Sequence, residues 1–162
     1  MRARDILYVL RAALVAGFVA GGVDIGVAAL INKTEPGRIL QAVASGLLGP
    51  HAYAGGAYTV ALGLVLQIAI SVVFAGVYAA GARRLPVLLR HSYISGLAYG
   101  VLIFGVMNMV VAPLSAFAPK PHVTTAWLAL NVAAMMLFGL IVTLLVQIVL
   151  AKGDSLARFE AA

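Results

Sequence analysis

The chain has 162 residues, 64% hydrophobic and only 10% charged, with a mean hydropathy of +1.08. A soluble domain averages about 45–50% apolar and about 25% charged, so a water-soluble fold is excluded. The net charge of +6 is spread over short joints between apolar runs and forms no basic face, so nucleic acid is not an expected partner. The absence of cysteine excludes disulfides, thiolate nucleophiles and Cys-bound metals, and with them the four-helix membrane enzymes that pass disulfides to quinones.

Four apolar stretches run over Ile6–Ile31, Ala57–Gly81, Ser92–Ala112 and Thr124–Ala151. About 20 apolar residues cross a hydrocarbon core roughly 30 Å thick, and each stretch is long enough. The first follows Arg2 and Arg4, as a secretory signal would. Its apolar run exceeds the usual 7–15 residues and passes Ala20–Gly22 without an Ala-x-Ala site, so it reads as a retained span. Within it Ala13, Gly17, Ala20, Asp24 and Ala28 recur at steps of three and four. Such a stripe of small residues shares one helix face and should meet a neighbouring helix rather than lipid.

The joint from Asn32 to Gly56 carries its own helix, expected over about 35–48. Thr34-Glu35-Pro36 has the composition of a helix start, with Thr34 as the capping hydroxyl, and Gly49-Pro50 that of a stop. Ile39, Leu40, Val43, Leu47 and Leu48 form an apolar face opposite Arg38, Gln41 and Ser45. The segment is too short to span, so it should be an interfacial or re-entrant amphipathic helix. Spans two and three are joined by a short basic segment holding Arg83, Arg84 and Arg90. Span three ends at Pro113, and Thr124 and Thr125 can cap span four. Gly17, Gly21 and Gly26 of span one are echoed at the same spacing by Gly96, Gly100 and Gly105 of span three, as a parallel two-helix repeat would produce. The expected fold is all-α: a four-helix transmembrane bundle forming one integral membrane domain over residues 1–162.

Arg2, Arg4, Arg11, Arg83, Arg84, Arg90, Lys152 and Arg158 fall on one side of such a bundle, against Lys33, Arg38 and Lys120 on the other. Basic residues accumulate on the cytoplasmic side, so both termini are expected there. Most tyrosines, including Tyr78, and Trp127 fall near span ends, as an aromatic belt does.

Asp24 is the only acid well inside an apolar span. A carboxylate there is costly unless paired, neutralised or hydrated. At about 1.5 Å per residue, Asp24 lies roughly 7 Å outward of its span's midpoint, and Asn108 and Asn131 lie roughly 8–9 Å outward of theirs. The equal depths suggest one polar layer, with Asp24 as hub and the two amides as donors. Gln67 and Ser71, one turn apart in span two, would extend this layer inward if that span faces it, or form a separate interhelical hydrogen bond. Two readings stand for the layer: a proton or cation site, or an inert hydrogen-bonded knot that fixes helix register. His51 and His122 lie at outer span ends and His91 beside Arg90; none matches a ligand spacing, and no metal, cofactor or catalytic residue is assigned. Phosphate-loop, His-Glu-x-x-His and Gly-x-Ser-x-Gly motifs are absent, and an enzyme is not expected.

The runs Gly21-Gly22-Val23-Asp24-Ile25, Ile39–Gly49, Gly55–Gly63 and Met107–Ser115 resemble the YagU-like family of small bacterial inner-membrane proteins, a domain of unknown function. The likeness covers most of the chain and implies four helices and an inner-membrane location, but no activity. That family commonly has a histidine near the position of Gln67, and the departure removes a bundle histidine from consideration. The function expected is a small transporter or permeation element for a proton, cation or small solute centred on Asp24. The alternative is a non-catalytic accessory or assembly subunit. The partners expected are the lipid bilayer and either a second copy or another membrane protein, since four spans enclose only a narrow path.

Overall fold

The computed structural model describes the backbone of residues 3–116 and 124–159. Helix α1 covers Ala3–Asn32, α2 Pro36–Leu48, α3 Gly56–Arg84, α4 Val87–Arg90, α5 Ser92–Val106, α6 Ala112–Leu114 and α7 Thr125–Phe159. A 3-10 segment, Gly49–Ala54, joins α2 to α3, and a π-helical stretch, Met107–Val111, joins α5 to α6. Asp5–Asn32, Gly56–Arg84, Ser92–Leu114 and Thr125–Gly153 are long and apolar enough to cross a membrane, in close agreement with the hydropathy pattern. The architecture is an all-α bundle of four long apolar helices, as expected of a membrane protein.

The spans alternate in direction. The start of α1, the end of α3, α4 and the end of α7 share one end, here the arginine end; α2 lies at the opposite, far end. Helix α1 packs between α3 and α7, α5 packs on α7, and α2 packs across α3 and α1. Glycines decide the closest approaches. A Cβ on Gly17 would lie 2.7 Å from the Val72 nitrogen, and one on Gly21 would lie 2.6 Å from Ser71 Oγ. Ala13 and Ala20 are buried on the same side, so the small-residue stripe does face neighbouring helices. The echo in span three acts in the same way: Gly96 and Gly100 bring α5 onto the backbone of α7 at Leu140 and Met136. The third glycine of each set differs. A Cβ on Gly26 or Gly105 would meet nothing within 4 Å, because five residues past Gly21 or Gly100 each lies on another face of its helix.

One core joins the spans. It holds Ala12, Ala16 and Ala20 of α1, Ala75, Tyr78 and Ala79 of α3, Tyr99 and Ile103 of α5, and Phe138, Val142 and Val146 of α7. These residues occupy the half of the bundle nearer the arginine end. Tyr78 therefore belongs to the core and not to an aromatic belt: it is 4% exposed, its ring lies 5.1 Å from that of Tyr99, and its hydroxyl donates to the Leu88 carbonyl. The Tyr99 hydroxyl donates to the Phe74 carbonyl at 2.7 Å, tying α5 to α3. Gln147 is half-buried and its amide donates to the Leu89 carbonyl at 3.1 Å, tying α7 to α4. Tyr99→Phe, which removes one buried donor, should lower stability by about 1 kcal/mol in a detergent unfolding titration.

Helix ends follow local chemistry. Thr124 caps α7 by accepting from the Trp127 N–H at 3.1 Å. Thr34 does not cap α2; Glu35 is its N-cap, without a side-chain bond, and Pro36 opens the helix. Thr34 is engaged instead in ending α1, donating its N–H to the Ala29 carbonyl while Lys33, at φ +49°, donates to Leu30. Gly49, at φ +62°, ends α2 as expected.

The amphipathic helix is turned from the expected direction. Leu40, Gln41, Ala44 and Ser45 are buried, whereas Leu47 and Leu48 are exposed. Small residues win this contact because α2 lies backbone-close on α3: the Leu40 carbonyl sits where a Cβ on Gly63 would be. Gln41 is offset by donating to Thr59 Oγ1 at 3.4 Å, and Ser45 by donating to the Ala42 carbonyl.

Candidate functional site

The glycine-mediated approach of α1 to α3 sets the antiparallel register of these helices. With Gly17 on Val72 and Gly21 on Ser71 and Ile68, the next inward-facing position of α1 is Asp24, and the residue of α3 opposite it is Gln67. The Gln67 amide donates to Asp24 Oδ2 at 2.8 Å. Both side chains are half-buried, in the gap between the shared core and the far end. Ser71 lies one turn along α3, 2% exposed and pressed against Gly21. Among the described residues, Gln67 is the one side chain that donates to Asp24.

The expected three-helix layer is not formed. Asn108 lies exposed in the π-helical stretch and its amide donates to the Phe104 carbonyl of its own span at 2.8 Å. Asn131 is half-buried and donates to the Trp127 carbonyl, also at 2.8 Å and four residues back. Equal depth along the membrane normal leaves the direction around each helix undetermined. In an apolar medium an asparagine that finds no partner on another helix satisfies its amide on its own i−4 carbonyl. The carboxyl is instead held by the neighbour with which its helix is in register.

A second polar contact escaped the sequence reading. Trp127 Nε1 donates to Asn32 Oδ1 at 3.3 Å, and the Asn32 amide donates to the Ala28 carbonyl at 2.8 Å, joining α7 to the far end of α1. The pairing of a tryptophan N–H with a span-end amide was the available signal. His51 and His91 are exposed, and His122 lies outside the described residues. Among the described residues, no three His, Cys, Asp or Glu side chains gather as metal ligands would.

Chemically, the pair consists of a carboxyl with one oxygen engaged by a neutral amide. The other oxygen can take a proton or contribute to a cation's coordination. Gln67 supplies a donor without a charge, so it orients the carboxyl without neutralising it. No family model, curated protein or solved structure matches the chain.

Proposed function

We propose that the chain is a small permeation or transport element for a proton or small cation in a bacterial inner membrane, with Asp24 as the group that carries the charge. The observation that supports this most directly is the Asp24–Gln67 hydrogen bond, 2.8 Å long, at the edge of the shared core. Intramembrane carboxyls that face a bundle interior mark ion and proton paths by default. Gln67 holds Asp24 by one oxygen only, which suits exchange better than a closed network would. The inner-membrane assignment rests on the likeness to small bacterial membrane proteins. The excess of arginine at the end holding α4 supports a cytoplasmic position for that end and for both termini. A path along four helices is narrow, so assembly of two or more copies is part of the reading.

Asp24→Asn tests it. The amide is nearly isosteric and keeps a hydrogen-bonding side chain, but it cannot titrate. In liposomes loaded with a pH-sensitive dye, the purified variant should lose most of the wild-type proton flux, about tenfold or more, with unchanged helicity. Unchanged flux would remove Asp24 from the transport path. Loss of stability or of partner recovery alone would favour an accessory subunit.

A further inference from the structure

Building on the Asp24 site proposed above, we infer that α2 and the far part of the third span form one hinged cap over the Asp24–Gln67 pair. Three placements lead to it. First, α2 crosses α3 just beyond the pair. The Leu40 backbone lies on Gly63 and Gln41 donates to Thr59, and Gly63 is four residues, about 6 Å, from Gln67 along α3. Second, the other end of α2 is joined to the tip of the third span. The Gly46 carbonyl accepts from the Ala116 N–H at 2.8 Å, and a Cβ on Gly46 would lie 3.8 Å from that of Ser115. The cap thus reaches from α3 to the third span across the far end.

Third, the third span can bend beneath this joint. It is locked to α7 at Gly96 and Gly100, and Ile103 is its last buried residue before the described part of the span ends. Pro113 has no N–H to offer the carbonyl four residues earlier, so the regular ladder cannot continue through this turn. The chain responds with a π-helical stretch, in which the Ala112 N–H reaches back to the Met107 carbonyl, and the Asn108 amide takes the Phe104 carbonyl. Kinks in helices concentrate at prolines and π-bulges, and hinges absorb motion at such points. No residue from Met107 to Leu114 is buried; Met109 is 81% and Leu114 83% exposed. Beyond Met107, which is half-buried against the core, the tip is joined to α2 through the Gly46–Ala116 hydrogen bond, so α2 and the tip move together.

The absence of native cysteine makes the test clean. In the full chain in liposomes, Gly46→Cys with Ser115→Cys places the two Cβ atoms at a separation a disulfide accepts. The readout is modification of Asp24 by a water-soluble carbodiimide with an added amine, mapped by mass spectrometry. The oxidised pair should be modified about tenfold more slowly than the same protein after reduction, which shifts the cap's population. Equal or faster modification of the oxidised form overturns the cap and leaves the site standing. No modification in either form removes water access to Asp24, and with it both the cap and the site. Failure of the pair to oxidise overturns the juxtaposition itself.

Discussion

Gly139→Val should separate α5 from α7 and destabilise the bundle by about 3 kcal/mol, at the upper end of overpacking costs. A Cβ at Gly139 would overlap the Gly96 carbonyl oxygen and lie 2.5 Å from the Gly100 nitrogen and 2.8 Å from its Cα. These are backbone atoms of a neighbouring helix, so no rotamer change relieves the overlap. In lipid, helices associate through such close packing and not through a hydrophobic drive, so losing the contact removes most of what holds this pair. Gly22→Ala is the control, since a Cβ there meets nothing within 4 Å. Unfolding in mixed micelles followed by circular dichroism should show a lowered midpoint for the first variant and none for the second. Equal midpoints would mean that the α5–α7 seam adjusts freely.

Gln67→Leu should cost about 1–3 kcal/mol by leaving Asp24 without its donor among the spans. Asp24→Leu alone should cost a similar amount, since it strands the Gln67 amide. The double variant should recover most of the loss, because replacing both partners of a buried hydrogen bond by apolar groups is close to neutral. The coupling is read as the non-additive part of the three unfolding midpoints, about 1 kcal/mol or more. Additive losses would mean that the 2.8 Å contact contributes nothing as a pair. The same variants separate stability from flux: Gln67→Leu keeps the carboxyl, and on the transport reading it should retain more proton flux than Asp24→Leu.

The four spans were legible because burial in lipid demands an unbroken apolar length, a property of local composition. The ends of α2 were legible for a similar reason, through Pro36 and Gly49. Its buried face was not, because hydropathy assigns Leu47 and Leu48 inward, whereas next to lipid a leucine is equally satisfied outside. The partner of Asp24 was misassigned to Asn108 and Asn131 because depth was estimated from helical rise while rotation about each axis was left open. The register needed to find Gln67 was present in the chain. Setting Gly17 and Gly21 against span two as the tight contact leads to position 67 one turn later. The π-helical stretch at Met107–Val111 had a visible cause in Pro113, which has no N–H for the carbonyl four residues earlier.

The two glycine seams each join spans that are consecutive in the chain, α1 with α3 and α5 with α7. During insertion each pair can therefore zip into a hairpin as soon as its second member enters the bilayer. What then joins the two hairpins is the contact of α1 with α7, where alanine, valine and the Tyr8–Gly153 contact replace the paired glycines.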